Sequence, residues 1–207
     1  MIENTSNGNS LSRRKNWRSH LFTYRSYTPV PFLVAMVLFA SPTALSLVVG
    51  FVVAVFGEAI RFWGVSYAGS ETRTTGTVGG TQLVTSGPYA YVRNPLYIGN
   101  ILMYLGVGIM SNALMPWLQI IALAYFIFQY GVIISLEEEY LERTFESWKN
   151  YSSSVPRFIP RLKKFRVAGN LVANFPRALR SERSSLIALT SLTVLLFVLY
   201  VFLKGGI

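Results

Sequence analysis

Cysteine is absent from the 207-residue chain, and histidine occurs once, at His20. The first absence excludes disulfides and thiolate chemistry, and says nothing about redox compartment. The second excludes a histidine metal site or a Ser-His-Asp triad, and no metal is expected. Charge is also scarce, with 14% charged against 52% hydrophobic residues and a mean hydropathy of +0.40. Such a composition is that of a membrane protein, not of an ordinary soluble domain.

What is present confirms the class. Residues 26–57, 94–136 and 184–203 carry no Asp, Glu, Lys, Arg or His. A bilayer core needs about 20 apolar residues per helical pass, so 184–203 fits one span. The run 94–136 is about twice that length and is interrupted by Ser111, Asn112 and Pro116, which predicts a helical hairpin with a short outer turn. Residues 27–69 have the same form, with Ser41-Pro42-Thr43 as the turn. The expected fold is an all-α integral membrane protein with about five transmembrane helices, in two hairpins plus a C-terminal span.

The formal net charge is +10, which raises the question of nucleic acid. With the N-terminus in the cytoplasm, every Lys and Arg except Lys204 falls on the cytoplasmic side or its boundary, a positive-inside pattern. The excess is therefore topological, and no nucleic-acid partner is expected. Apolar residues resume directly after Ser41-Pro42, so 30–40 reads as a span and not as a cleaved signal. Four regions follow: a basic cytoplasmic tail at 1–25, a membrane core at 26–161, a basic amphipathic linker at 162–183 and a C-terminal helix at 184–207.

Chemistry concentrates on one side of the membrane. Glu58 and Arg61 stand three apart on one helical face and pair with each other. The Gly/Thr-rich loop "TTGTVGGTQLVTSGPY" suits turns and a short extended piece. It leads into "AYVRNPLYIGN" at the start of the third span. The fourth span ends in Glu137-Glu138-Glu139, followed by a helical pattern of Leu136, Leu141, Phe145 and Trp148 and by "VPRFIP". If spans three and four form a hairpin, the loop and the glutamates face each other across a pocket. Tyrosine faces favour a cation, and carboxylates do so too, which suits a cofactor with a planar base and a positive centre. Aromatic residues also belt membrane interfaces without any ligand.

The ordered set "LVTSGPYAYVRNPLYIG", "EEEYL" and "VPRFIP" resembles the isoprenylcysteine carboxyl methyltransferase and phospholipid methyltransferase superfamily, over about residues 81–161. The resemblance implies a membrane enzyme that binds S-adenosyl-L-methionine at the cytoplasmic face and methylates a lipid or prenylated substrate. It implies cofactor contacts from Gln82, Leu83 and Val84, from Tyr89, from the turn Asn94-Pro95-Leu96-Tyr97, and from Glu137 and Glu138. Leu141 fills the leucine position of the glutamate motif. Arg93 and Arg157 match basic positions, and Arg157 with Glu138 forms the implied catalytic pair.

Asn94 stands where the family has histidine, so that position hydrogen-bonds but does not titrate near neutrality. "FESW" departs from the Phe-Gly the family commonly carries. A carboxylate acceptor needs no base, whereas an ammonium must lose a proton first. Carboxyl O-methylation is therefore expected slightly ahead of phospholipid N-methylation. Two other classes stay open: an NADPH-dependent enzyme like the sterol reductases, against which the glutamate motif speaks, and a non-catalytic membrane protein, which Asn94 favours.

Overall fold

A computed structural model describes residues 17–69, 82–166 and 171–205. These residues form helices and no strand. Helix α1 (residues 17–23) is followed by α2 (Val30–Leu38), α3 (Ala44–Ala68), a 3-10 turn (Gly87–Ala90), α4 (Pro95–Ser111), α5 (Trp117–Thr144), α6 (Trp148–Ser154) and α7 (Phe175–Gly205). The chain is an all-α integral membrane protein.

Three helices, α3, α5 and α7, are long and apolar enough to cross a membrane, and α4 is a shorter apolar helix. The first arm of the expected first hairpin is not a full pass. Its helix α2 has nine residues, about 14 Å at 1.5 Å per residue, or half of a bilayer core of about 30 Å. The reason is local: residues 24–29 form turns, and Pro29 and Pro31 suit only a helix start. The last helix departs in the other direction. The basic stretch 162–179 reads equally as an interfacial helix broken near Pro176 or as a solvated linker; residues 161–166 are non-helical, and α7 runs unbroken for 31 residues from Phe175. Asn174 accepts a hydrogen bond from the Arg177 amide at 3.0 Å, and Pro176 sits where a helix tolerates it, so the proline starts α7 rather than ending a preceding helix.

Helices α3 and α4 form the centre. A Cβ added to Gly50 would lie 2.5 Å from the Gly106 carbonyl oxygen, and one on Gly57 would lie 2.7 Å from that of Gly99. Both pairs recur at seven-residue spacing, so two antiparallel helices meet backbone to backbone along one seam. The end of the seam where α3 starts and α4 stops is tied. Thr43 and Ser46 close a capping box at the start of α3. The Ser41 amide donates to the Ser111 carbonyl at 2.9 Å, and the Asn112 side-chain amide donates to the Ser41 carbonyl at 3.1 Å. Asn112 has φ 51°, the left-handed C-cap that lets α4 stop there.

Around this pair, α5 brings an aromatic ladder. Phe126 stacks on Tyr104 at 4.7 Å, and Tyr130 lies 4.8 Å from Tyr97. The basic tail is not wholly free of the fold: Phe22 is buried and Arg18 pairs with Glu139 at 2.8 Å, while His20 is exposed. Residues 1–16 and the Gly79-Gly80 pair lie outside the described residues.

Gly106→Leu should force α3 and α4 apart at a point where backbone is the neighbour, with an overpacking cost of about 1–3 kcal/mol or more. Gly131→Ala is the control, since nothing lies within 4 Å of its added Cβ. Thermal unfolding in detergent should show a clear loss for the first and no loss for the second.

Candidate active site

The turn "SGPYAYVRNP" is held by its backbone. Gly87 has φ 61°, and an added Cβ would lie 2.3 Å from the Tyr67 ring, so only glycine fits there. The 3-10 turn then presents Tyr89, and Pro95 begins α4 with Asn94 as its N-cap. The second wall is the end of α5, which carries Glu137 and Glu138 two turns before its last residue. The third piece, "VPRFIP", is sewn to the first. The Arg93 amide donates to the Pro156 carbonyl at 2.9 Å, the Arg161 amide to Tyr91 at 3.0 Å and the Phe165 amide to Ala90 at 2.9 Å.

These walls enclose a cavity of about 760 Å³, within the range of about 300–1,000 Å³ usual for ligand sites. Gln82, Leu83, Val84, Tyr89, Asn94, Pro95, Leu96, Tyr97, Glu137 and Glu138 all line it, as do Arg93 and Leu141. The hairpin argument therefore brings together the residues it was meant to join. Tyr97 donates its hydroxyl to Glu137 at 2.7 Å, fixing that carboxylate at the cavity wall. Arg157 does not line the cavity. Its guanidinium makes a forked pair with Glu138, through Nε at 3.2 Å and through Nη2. Arg93 reaches the same carboxylate at 3.5 Å and lies over the Trp148 ring at 5.5 Å.

The geometry gives Asn94 a role of its own. Its side-chain amide donates to the Arg157 carbonyl at 3.2 Å, so it holds the "VPRFIP" strand against the start of α4. Tyr151 donates to the Tyr89 carbonyl at 2.8 Å and braces the turn from α6. Burial first, then the Tyr151 and Glu137 charges, push the Tyr89 phenol far up, so it stays a protonated donor at any physiological pH.

Sequence reasoning missed the other half of the cavity. Arg61 and Glu182 line it with Asn100, Tyr104 and Tyr130, and so do Ala188, Leu189 and Leu192 of α7. Arg61 does pair with Glu58, at 3.7 Å, but its closer partner is Glu182 at 2.6 Å. Glu182 was hidden in "RALRSERSS", which reads as a basic linker. The signal available was an acid set into basic residues directly before an apolar run.

The residue set fits S-adenosylmethionine. Carboxylates and aromatic faces at one end suit its cationic groups and planar base. Among the described residues, no group of three or more His, Cys, Asp or Glu is placed to hold a metal ion.

Comparison with known proteins adds independent weight. The phospholipid methyltransferase family model matches residues 45–147. The chain is similar to the cobalt-zinc-cadmium resistance protein CzcN of Cupriavidus metallidurans, 34% identical over 147 residues, covering 66% of this chain and 62% of that protein. It is also similar to the nickel-cobalt-cadmium resistance protein NccN of Alcaligenes xylosoxydans xylosoxydans, 40% identical over 86 residues, covering 42% of this chain and 39% of that protein. The chain thus spans less than two thirds of the length of either relative. No solved structure matches it. Residues 45–147 carry α3, α4 and the glutamate end of α5, and they form a phospholipid methyltransferase family domain, within the superfamily that also holds the isoprenylcysteine carboxyl methyltransferases.

Proposed function

We propose that the chain is an S-adenosylmethionine-dependent methyltransferase that acts on a lipid or lipidated substrate at the membrane. The observation that carries this reading is that one cavity is lined by all ten residues of the implied cofactor set. When bound, the cofactor supplies a methyl group on a sulfonium, whose leaving thioether needs no acid.

The chain's own residues then have three tasks: to hold the cofactor, to align the acceptor and to exclude water. Glu137, oriented by Tyr97, offers a fixed carboxylate to a cationic group. Glu138 is held by Arg157 and Arg93, so it acts in this reading as an anchored wall charge more than as a free base. Asn94 cannot take a proton near neutrality. An already ionised carboxylate acceptor therefore suits the site with least help, and carboxyl O-methylation of an isoprenylcysteine-like substrate leads. Phospholipid N-methylation is the second reading, favoured by the family matched over 45–147. The chain is read as multi-pass, with its N-terminus and the cofactor end of the cavity in the cytoplasm. A link to metal resistance, which the relatives' names carry, would then run through the methylated membrane component.

Calorimetry of the purified protein with S-adenosylhomocysteine tests the cofactor half. Micromolar binding is expected, weakened by Glu137→Ala and by Tyr97→Ala more than tenfold, about 1.4 kcal/mol. No heat and no thermal stabilisation from folded protein would remove the enzyme reading.

The Glu138 network predicts an asymmetry in the same titration. Arg157→Ala leaves Glu138 with Arg93 as partner, so its effect should stay below about tenfold. Glu138→Ala leaves two guanidinium groups without their shared acid, and a broken part-buried pair costs more than an exposed one. Equal effects of the two substitutions would argue against this division of roles.

A further inference from the structure

The cavity has two unlike ends. One is built from the motif residues already described. The other lies beyond a polar collar in which Arg61 donates to Glu182 through Nε at 3.2 Å and Nη2 at 2.6 Å, and through Nη1 to Asn100. The collar is nearly sealed from solvent, with the Glu182 side chain 1% and the Arg61 side chain 15% exposed. Past it the walls turn apolar: Leu33 of α2, Met103 and Val107 of α4, and Leu189 and Leu192 of α7. From Glu182 to Leu192 is ten residues of α7, about 15 Å at 1.5 Å per residue. One step further along α7, the Thr193 hydroxyl meets the Met110 sulfur at 3.9 Å, so α4 and α7 are in contact just beyond the last lining residues. A charged collar above an apolar chamber has the form of an amphiphile: an ionic head and an apolar chain.

We propose that α7, which lies outside the matched domain, supplies the acceptor half of the site. Arg61 and Glu182 position an ionisable head group, and the chamber between α4 and α7 seats one apolar chain. The reasoning is electrostatic. A guanidinium and a carboxylate held in an apolar wall favour a ligand that can exchange into their pair, because an uncharged head offers too little to replace the interactions it disturbs. The apolar floor gains by covering its surface, at about 25 cal/mol per Å². Glu182 and Arg61 are positioning residues here, acting on where the head group stops relative to the cofactor end. This assignment rests on the methyltransferase reading for its meaning, though the chamber itself does not.

The test uses the full-length protein in detergent. Three single-chain probes share one hexadecyl chain with a diazirine at its far end, and carry an amine, a carboxylate or an alcohol as head. After irradiation, the label should fall on residues 107–110 and 189–193. The ionic heads should label at least tenfold lower concentration than the alcohol. Leu192→Trp should abolish labelling there while leaving S-adenosylhomocysteine affinity within twofold. Glu182→Gln should remove the preference for the amine head and strengthen that for the carboxylate, which then pairs with Arg61, without moving the label. If Glu182→Gln does not fold, Arg61→Gln with Glu182→Gln removes both charges together and should abolish the preference for either ionic head. Labelling spread over the lipid-facing surface, or equal labelling by the alcohol in the wild type, would overturn the proposal. Labelling in the chamber of a protein that binds no S-adenosylhomocysteine would keep the chamber and remove the methyltransferase reading. Cofactor binding without chamber labelling would do the reverse.

Discussion

The seam between α3 and α4 is the constraint from which the rest follows. Where Gly50 faces Gly106 and Gly57 faces Gly99, an added Cβ would lie less than 3 Å from the opposite backbone. Apolar side chains gain little from contact with one another when lipid is the alternative, so close backbone approach is a principal source of helix association in a membrane. The seam also sets register. With Gly99 against Gly57, Arg61 lies one turn further along α3 and meets Asn100 on α4, while Pro95 to Tyr97 emerge at the same level. The site is thus placed by small residues that take no part in it.

A second constraint acts on backbone alone. The segment 90–93, flanked by Pro88 and Pro95, and the segment 156–165, which contains Pro156 and Pro160, are far apart in sequence and neither is α-helical. Each leaves amides and carbonyls in need of partners, and they satisfy one another through Arg93 to Pro156, Tyr91 to Arg161 and Ala90 to Phe165. This lacing explains why a proline-broken turn can stand rigidly at the lip of an apolar helix. It also recasts Asn94. In the role the family gives to histidine, asparagine is a loss. As a donor to the Arg157 carbonyl, it adds a side-chain stitch to the same seam and lets the cavity keep its shape without a titrating group.

The fold class and the motif half of the cavity were legible in the sequence, because both rest on local signals. Long apolar runs need helices, and a hairpin of 94–136 must bring its two ends together, so the meeting of Tyr97 with Glu137 followed from topology. What was not legible depends on partners distant in the chain. The shortness of α2 was written in Pro29 and Pro31, but an apolar run of spanning length masked it. Glu182 looked like one charge in a solvated basic linker, and only the extension of α7 back to Phe175, packed against Phe62 at 6.0 Å, carries it inward to Arg61. Arg157 was legible as a motif residue but not as one that reaches the cavity only through Glu138.

The two charged networks differ in a way that bears on how such a site works. Around Glu138 the arginines come from the lip and the tail segment, Arg93 and Arg157, and Arg157 keeps 40% of its side chain exposed. Solvent screening weakens the Arg157 contact, while Arg93 and Glu138 are themselves largely shielded. Around Glu182 the partner comes from the central helix and both side chains are shielded, so separating them without a substitute is costly. On the proposed reading, the first network can yield at Arg157 as a polar cofactor enters. On the proposal made for α7, the second opens to a ligand that brings its own charge. A single cavity thereby carries two charged thresholds that differ in kind: one at the lip, where water reaches the Arg157 contact, the other shielded, where on this proposal only an ionic head replaces the pair.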